Sequence, residues 1–303
     1  MRAIAKFALR SPALASISAA AYAVFALFFA PFMIVSGAIV GLSTLRFGAG
    51  PGWRVLGVAT GVAGIAYLLL LQEFRALLIL IAAWVPVLIV GQVLRTTEHQ
   101  GSALAVGASF AALYASVVRL AVPDVNGHWL ARLQALGDAV REQGGTFFEL
   151  EEISMVAGVI HEATIVVVCL YWMCAVLLAR WWQAELFNPG GFGVEFRQLV
   201  IPRLVSPLAA IIAVFALIQL AGDGLHGLPR DLLVVLVVLF AFQGLALLHH
   251  RVHQIGMARG WLVGFYILLM FMPHRIGLIL GFIGIADTFI DARRLRKRKP
   301  PTQ

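Results

Sequence analysis

The chain has 303 residues, of which 61% are hydrophobic and 13% are charged, with a net charge of +8 and a mean hydropathy of +0.92. Soluble globular proteins contain about 25% charged residues, so this composition excludes an ordinary soluble domain and indicates an integral membrane protein. The positive charge does not predict a nucleic-acid partner, because basic residues beside apolar runs match the positive-inside pattern and face anionic lipid.

Apolar segments follow each other along almost the whole chain. A membrane-crossing helix needs about 20 such residues, so the sequence predicts an all-α, polytopic transmembrane helical bundle of about eight to ten membrane helices. Residues 1–290 are expected to form this single bundle, and residues 291–303 a basic tail. The basic, apolar N-terminus is interpreted as the first helix rather than as a signal peptide. The predicted segments are 12–30, 31–45, 55–71, 76–94, 102–121, 154–179, 204–221, 232–248, 261–272 and 276–290.

Two prolines decide the predicted orientation. Pro31 and Pro273 are expected to end helices, because proline lacks the backbone N–H and clashes with the preceding turn. The resulting short segments 31–45, 261–272 and 276–290 are expected to be tilted or re-entrant. With the N-terminus inside, cytoplasmic segments hold 17 of the 23 Lys and Arg residues. This favours a multi-pass protein of the bacterial inner membrane with both termini in the cytoplasm.

Residues 123–152 form a soluble-looking insert that this orientation places outside. Trp129, Leu133, Leu136 and Val140 recur at helical spacing, and two glycines follow at positions 144 and 145. One interpretation is an amphipathic helix that lies on the outer membrane surface. The other is a lid over an outward-facing cavity.

His161 and Glu162 are the ionisable pair within the sixth predicted segment, 154–179. Such residues are costly inside a membrane and often line a cavity, a relay or a ligand site. Together with Trp129, they are the ligand-binding candidates. The alternative is that the helix enters the bilayer later than residue 154, which would place the pair near the outer headgroups.

No catalytic residue, metal site or cofactor is predicted. The sequence contains neither a Gly-x-x-x-x-Gly-Lys phosphate loop nor a Gly-x-Ser-x-Gly turn. His249 and His253 are one helical turn apart, but no carboxylate or cysteine accompanies them, so they are interpreted as interfacial histidines. The protein is expected not to be an enzyme, although an intramembrane enzyme remains a third alternative.

Isolated polar residues in the apolar segments are predicted to join helices. Gln92, Gln219 and Gln243 are expected to form interhelical hydrogen bonds. Asp287 is expected to pair with Arg293 or Arg294, or to cap the helix of the tail.

Ala15, Ala19 and Ala23 place small residues four apart on one face of the first membrane helix. This spacing permits close helix approach. It predicts either internal packing or a docking face for another membrane subunit.

The segment 180–203 is predicted to be a cytoplasmic connector. Its sequence has interfacial residues at its start, a break at Asn188-Pro189-Gly190-Gly191, and a partly apolar continuation that contains Phe192 and Phe196. The two phenylalanines are candidates for docking a protein partner. The alternative is a structured connector without a partner.

Three runs, "RWWQAELFNPGGFGVEFRQL", "APFMIVSGAIVGLSTLRFGAG" and "LALLHHRVHQIGMARGWLVGFYILLM" with its continuation "GFIGIADTFIDARR", resemble the YybS-like family of uncharacterised bacterial membrane proteins. That family is remotely similar to the substrate-binding S subunits of energy-coupling-factor vitamin transporters. The resemblance implies an S-subunit-like core, in which the small-residue face of the first helix docks the coupling subunit. The chain has more predicted spans than such subunits usually have, and no vitamin-contacting residue matches, so no particular vitamin is implied.

Two hypotheses about function follow. The first is a membrane protein that binds or helps to transport a small-molecule ligand through an outward-facing cavity near His161, Glu162 and Trp129. The second is a non-transporting scaffold that recruits a membrane or cytoplasmic protein partner through residues 180–203 and the basic tail. In both, the bulk of the chain is in contact with the lipid bilayer.

Overall fold

The structure is a computed structural model that describes residues 2–222, 227–258 and 260–290. All the regular secondary structure in these ranges is helical, which confirms the predicted all-α bundle. The predicted basic tail, together with Arg259, Arg293 and Arg294, lies outside the described residues. The helices are α1 (Arg2–Ala8), α2 (Pro12–Phe25), α3 (Phe32–Phe47), α4 (Ala49–Leu71), α5 (Arg75–Thr97), α6 (Gln100–Ala121), α7 (Val125–Glu142), α8 (Leu150–Phe187), α9 (Gly191–Arg197), α10 (Val205–Ala221), α11 (Gly227–Ile255), α12 (Gly260–Phe271) and α13 (Pro273–Ile290).

Six of these helices are long and apolar enough to cross a membrane: α4, α5, α6, α8, α11 and α13. Four shorter apolar helices, α2, α3, α10 and α12, stand beside them. The chain is therefore a multi-pass membrane protein. The two predicted proline breaks are confirmed, because α3 begins directly after Pro31 and α13 begins at Pro273.

The short helix α3 occupies the centre of the bundle. Residues 36–45 are all buried, and α3 packs against α2, α4, α5 and α8. Small residues make this possible: a Cβ atom on Gly37 or Gly41 would lie 3.2 Å from the methyl group of Ala175 or Ala179, respectively, on α8. The helix can be shorter than a full span because other helices surround it.

Ser36 joins three helices in this core. Its hydroxyl donates a hydrogen bond of 2.6 Å to the carbonyl oxygen of Ala19 on α2. The indole Nε1 of Trp84 on α5 donates to the Ser36 hydroxyl oxygen at 3.1 Å. Both the serine and the indole are thus satisfied in an apolar environment, where an unpaired polar group would be costly.

The alanine face of α2 is used inside the chain. Ala15, Ala19 and Ala23 are buried, since α2 packs against both α3 and α4. The hydroxyl of Tyr67 on α4 also donates to the carbonyl oxygen of Ala23 at 2.9 Å. This burial favours the internal-packing alternative, and the docking role of these three residues stays a prediction.

Helices α11 and α13 run parallel and in close contact. A Cβ atom on Gly281 would meet Val237, and one on Gly284 would meet Phe240, so the residue numbers rise together along both helices. Because α11 and α13 point in the same direction, the chain must run back from the end of α11 to the start of α13. The short helix α12 provides this return.

Replacing Gly284 by alanine is expected to loosen the contact between α11 and α13. The new methyl group would collide with the backbone carbonyl of Phe240, and overpacking of this kind costs about 1–3 kcal/mol. We expect a lower melting temperature of the protein in detergent. The matched control is Gly277→Ala on the same helix, where a Cβ atom meets nothing within 4 Å; an equal loss in both variants would contradict the proposed contact.

A buried glutamine ties α11 to α13 and to the connector. Gln243 accepts a hydrogen bond from the backbone N–H of Ile201 at 2.8 Å. Its amide nitrogen donates to Asp287 at 3.1 Å and to the hydroxyl of Thr288 at 3.2 Å. This confirms the interhelical role predicted for Gln243.

The insert contains the predicted helix, α7. The Asp124 side chain caps its start by accepting from the backbone N–H of Gly127 at 2.9 Å. The helix ends at Glu142, before Gly144, whose φ of +77° favours glycine. Helix α7 packs along the first part of α8. Leu136, which the spacing assigns to the apolar face, is largely exposed.

Helix α8 begins before and ends after the predicted segment 154–179. Its 38 residues correspond to a length of about 57 Å. The connector predicted for 180–203 therefore starts inside a helix, which continues to Phe187. The break at Asn188-Pro189-Gly190 is confirmed, because Gly190 has a φ of +87° and the short helix α9 follows.

Candidate functional site

Polar side chains concentrate at two levels of the bundle, which we call the Arg119 end and the Arg180 end. Helix α8 reaches both, since His161 lies at the level of Arg119 and is nineteen residues before Arg180. This separation corresponds to about 28 Å along the helix, close to the roughly 30 Å thickness of the hydrocarbon layer. The distance between the two levels is therefore close to the thickness of the apolar layer of a membrane.

An acid–base cluster of three side chains lies at the Arg119 end. Asp231 on α11 is fully buried, with an exposed fraction of 0%. Arg119 on α6 binds both of its oxygens, with Nε donating to Oδ2 at 2.6 Å and Nη2 to Oδ1 at 2.9 Å. His161 on α8 places Nε2 3.0 Å from the same Oδ2. Asp231 thus joins three helices through charge-assisted hydrogen bonds, which are among the stronger kinds.

The position of each residue on its helix explains the cluster. Asp231 lies in the first turns of α11 and Arg119 in the last turn of α6. The helix dipole favours an anion near the start of a helix, where Asp231 lies, and a cation near the end of a helix, where Arg119 lies. His161 is on the buried face of α8, four residues from both Ala157 and Ile165, so its ring points into the bundle.

A second ion pair lies beside the first. Arg230 Nε donates to Glu162 Oε1 at 3.2 Å. Because Arg230 precedes Asp231 and Glu162 follows His161, two links connect α8 and α11 side by side. The four charged groups, Arg119, Arg230, Asp231 and Glu162, balance one another when the histidine is neutral.

Two buried atoms of this cluster have no hydrogen-bond partner among the described residues: His161 Nδ1 and Glu162 Oε2. Buried polar atoms are nearly always paired, so these two atoms are the unsatisfied hydrogen-bonding positions of the cluster. The carboxylate of Asp231 favours a proton on Nε2 of His161. In the neutral ring, Nδ1 is then an acceptor, as is Glu162 Oε2.

Trp129 lies half-buried on α7, where its ring meets the edge of the His128 ring with centroids 6.2 Å apart. The acid–base cluster itself is built by α6, α8 and α11. The ligand-binding role of Trp129 stays a prediction.

Sequence reasoning singled out His161 and Glu162 but missed their partners. A signal was present, since Arg119 lies inside the predicted segment 102–121 and Arg230-Asp231 stands immediately before 232–248. Pairing them requires knowing that α6, α8 and α11 are neighbours, which a single sequence does not show.

The connector is held by its own aromatic residues at the Arg180 end. Phe192 and Phe196 stack with ring centroids 5.8 Å apart, and Phe196 packs against the edge of the His249 ring at 5.5 Å. Phe196 is only 9% exposed and Phe192 is half-buried. Phe196 therefore fixes the connector to α11, which favours the structured-connector alternative, and its docking role stays a prediction. The docking role of Phe192 stays a prediction.

Comparisons of the chain with protein-family models, with curated proteins and with solved structures find no match. The fold and the cluster define the class by themselves: a multi-pass membrane protein with a buried acid–base cluster at one end of its helical bundle. The resemblance to YybS-like proteins and the S-subunit-like core stay predictions.

Proposed function

We propose that this protein binds a small molecule at the Arg119 end of the bundle and helps it to cross the membrane. The observation that carries the proposal is the buried cluster of Arg119, Asp231 and His161 with Glu162 beside it, in which two buried acceptors lack partners among the described residues. Ionisable residues inside membrane bundles are costly and typically mark ligand, ion or proton pathways.

The chemistry of the two acceptors selects a ligand class. Neutral His161 Nδ1 and Glu162 Oε2 both accept hydrogen bonds, so the ligand carries N–H or O–H donors, as amines, amides and polyols do.

We further propose that the Arg180 end faces the cytoplasm and the Arg119 end faces outward in a bacterial inner membrane. An ion pair between Arg2 and Glu185 at 3.0 Å supports placing the N-terminus beside the end of α8. In the predicted orientation, the cytoplasmic segments hold 17 of the 23 Lys and Arg residues, in line with the positive-inside pattern. The resemblance to YybS-like proteins and to S subunits is consistent with this arrangement.

Native mass spectrometry of the protein released gently from its own membrane tests the proposal. We expect a discrete small molecule on the wild-type chain and its loss from Glu162→Gln and His161→Asn. His253→Asn is the matched control, since His253 is exposed near the opposite end of α11; this variant is expected to keep the small molecule.

Two outcomes of this experiment would contradict the proposal. The first is a bound small molecule that all three variants retain equally. The second is a stoichiometric protein without any small molecule, which would favour the scaffold hypothesis and a contact through the exposed Val194 of the connector.

A further inference from the structure

A second polar site lies at the Arg180 end, on the opposite side of the apolar layer from the acid–base cluster. A cavity of about 620 Å³ opens there between the ends of α3 and α5 and the side of α8, with α9 along one edge. Its size is within the range of small-molecule sites, about 300–1,000 Å³. Its charged lining consists of Arg46, Arg95, Arg180, Glu98 and Glu195.

One of the three arginines is neutralised. Arg180 forms a bidentate ion pair with Glu195, in which Nε donates to Oε2 at 3.0 Å and Nη2 donates to Oε1. Its third nitrogen donates to Gln183 Oε1 at 3.1 Å. These groups form one wall of the cavity. All three nitrogens of the Arg180 guanidinium already donate hydrogen bonds, so few of its N–H groups remain for a ligand.

The other two guanidinium groups are held in place without being neutralised. Arg95 donates through Nη1 to the carbonyl oxygen of Leu45 at 3.2 Å, and Arg46 lies 4.2 Å above the ring of Phe187. In the part of the chain that the structure describes, neither has a carboxylate within ion-pair distance. A guanidinium has five N–H donors, so most of their donors remain available.

Helix ends of both polarities lie beside Arg95, which is itself in the last turn of α5. Helix α4 begins beside it, and a Cβ atom on Gly48, the residue before α4, would lie 3.7 Å from Arg95 Cζ. No side chain caps this helix start. The partial positive charge of this helix start acts in the same direction as the guanidinium, whereas the ends of α3 and α5 at the cavity carry partial negative charges that Arg46 and Arg95 offset.

We propose that this cavity binds a phosphate-bearing molecule through Arg46 and Arg95. Guanidinium groups match the oxygens of a phosphate in pairs of parallel hydrogen bonds, and here they come from two different helices. Because the cavity lies at the boundary of the apolar layer, the phosphate belongs either to a lipid headgroup or to a soluble phosphorylated compound. This inference is independent of the ligand proposed for the Arg119 end.

Glu98 makes the proposal sharply testable, because it lines the same cavity with the opposite charge. If the cavity binds an anion, removing this carboxylate strengthens binding, whereas removing either arginine weakens it. A merely structural role of these exposed side chains would not produce opposite signs.

The experiment measures binding of the full chain to inorganic pyrophosphate in neutral detergent by calorimetry. In parallel, it compares the melting temperature in phosphatidylcholine nanodiscs with and without phosphatidic acid. We expect Arg46→Gln and Arg95→Gln each to weaken the binding by about tenfold, and Glu98→Gln to strengthen it several-fold. Arg54→Gln, an exposed arginine of α4 at the same end, is the matched control and should leave binding unchanged.

Binding of pyrophosphate would identify a soluble phosphorylated compound as the ligand. A response to phosphatidic acid alone would identify a lipid headgroup, and either result supports the proposal. Equal binding by Arg54→Gln, Arg46→Gln and Arg95→Gln would overturn it, as would unchanged or weaker binding by Glu98→Gln. Glu162→Gln should leave this binding intact, which separates the present site from the one at the Arg119 end.

Discussion

Replacing Asp231 by alanine is expected to lower the free energy of unfolding by about 3–5 kcal/mol. The substitution leaves the guanidinium of Arg119 and the ring of His161 without their common buried partner. An unpaired charge in a buried site is far more costly than the original pair is stabilising. The measurement is the unfolding of the purified protein by detergent titration, followed by circular dichroism.

Two further variants test the reason for this loss. Asp138→Ala removes one partner of an exposed ion pair with Arg141 and should change stability by less than about 0.5 kcal/mol. The double variant Arg119→Leu with Asp231→Leu removes both charges and should recover most of the loss. A double variant as unstable as Asp231→Ala would show that the cluster is not stabilised by mutual charge compensation.

Replacing Trp84 by alanine is expected to have the second largest effect, a loss of about 3 kcal/mol. Trp84 is completely buried and donates its indole hydrogen bond to Ser36 at the centre of the bundle. In a membrane, the indole of Trp84 contacts lipid when the helices separate, so it stays in an apolar environment. Little of the lost stability therefore comes from transferring the side chain between water and an apolar environment. The loss comes from the cavity that remains and from the loss of the hydrogen bond that Ser36 accepts, while the Ser36 hydroxyl still donates to Ala19.

Trp53→Ala is the matched control for this prediction. Trp53 on α4 is 46% exposed, so its removal leaves no internal cavity. Both variants are compared by the same detergent titration. If they lose equal stability, the Ser36–Trp84 core does not contribute more than a lipid-facing tryptophan does.

The helices and their breaks were largely predictable because each depends on local properties. Uninterrupted apolar runs specify membrane helices, and Pro31 and Pro273 lie where one helix ends and the next begins, whereas Pro86 lies inside α5. The continuation of α8 to Phe187 was not predictable in this way. Tryptophan and arginine at positions 180–182 favour an interface, but they do not prevent a helix from extending beyond it.

The candidate site depends on contacts between distant segments, and this limited what could be predicted. His161 stood out because a buried histidine in an apolar run is unusual. Its partner Asp231 is seventy residues away, and nothing in the periodicity of either helix indicates which faces meet. The same limit applies to the alanines of α2, whose spacing fits both internal packing and external docking.

One consequence of the parallel pair of α11 and α13 concerns mechanical coupling. Helix α11 carries Asp231 in its first turns, Gln243 in the middle and His249 near its end, and the last two contact the connector through Ile201 and Phe196. No proline interrupts the helix between Asp231 and His249, so it is stiff along its axis. If ligand binding shifted Asp231 along the axis of α11, the whole helix would therefore move with it. This movement would displace the connector at the Arg180 end.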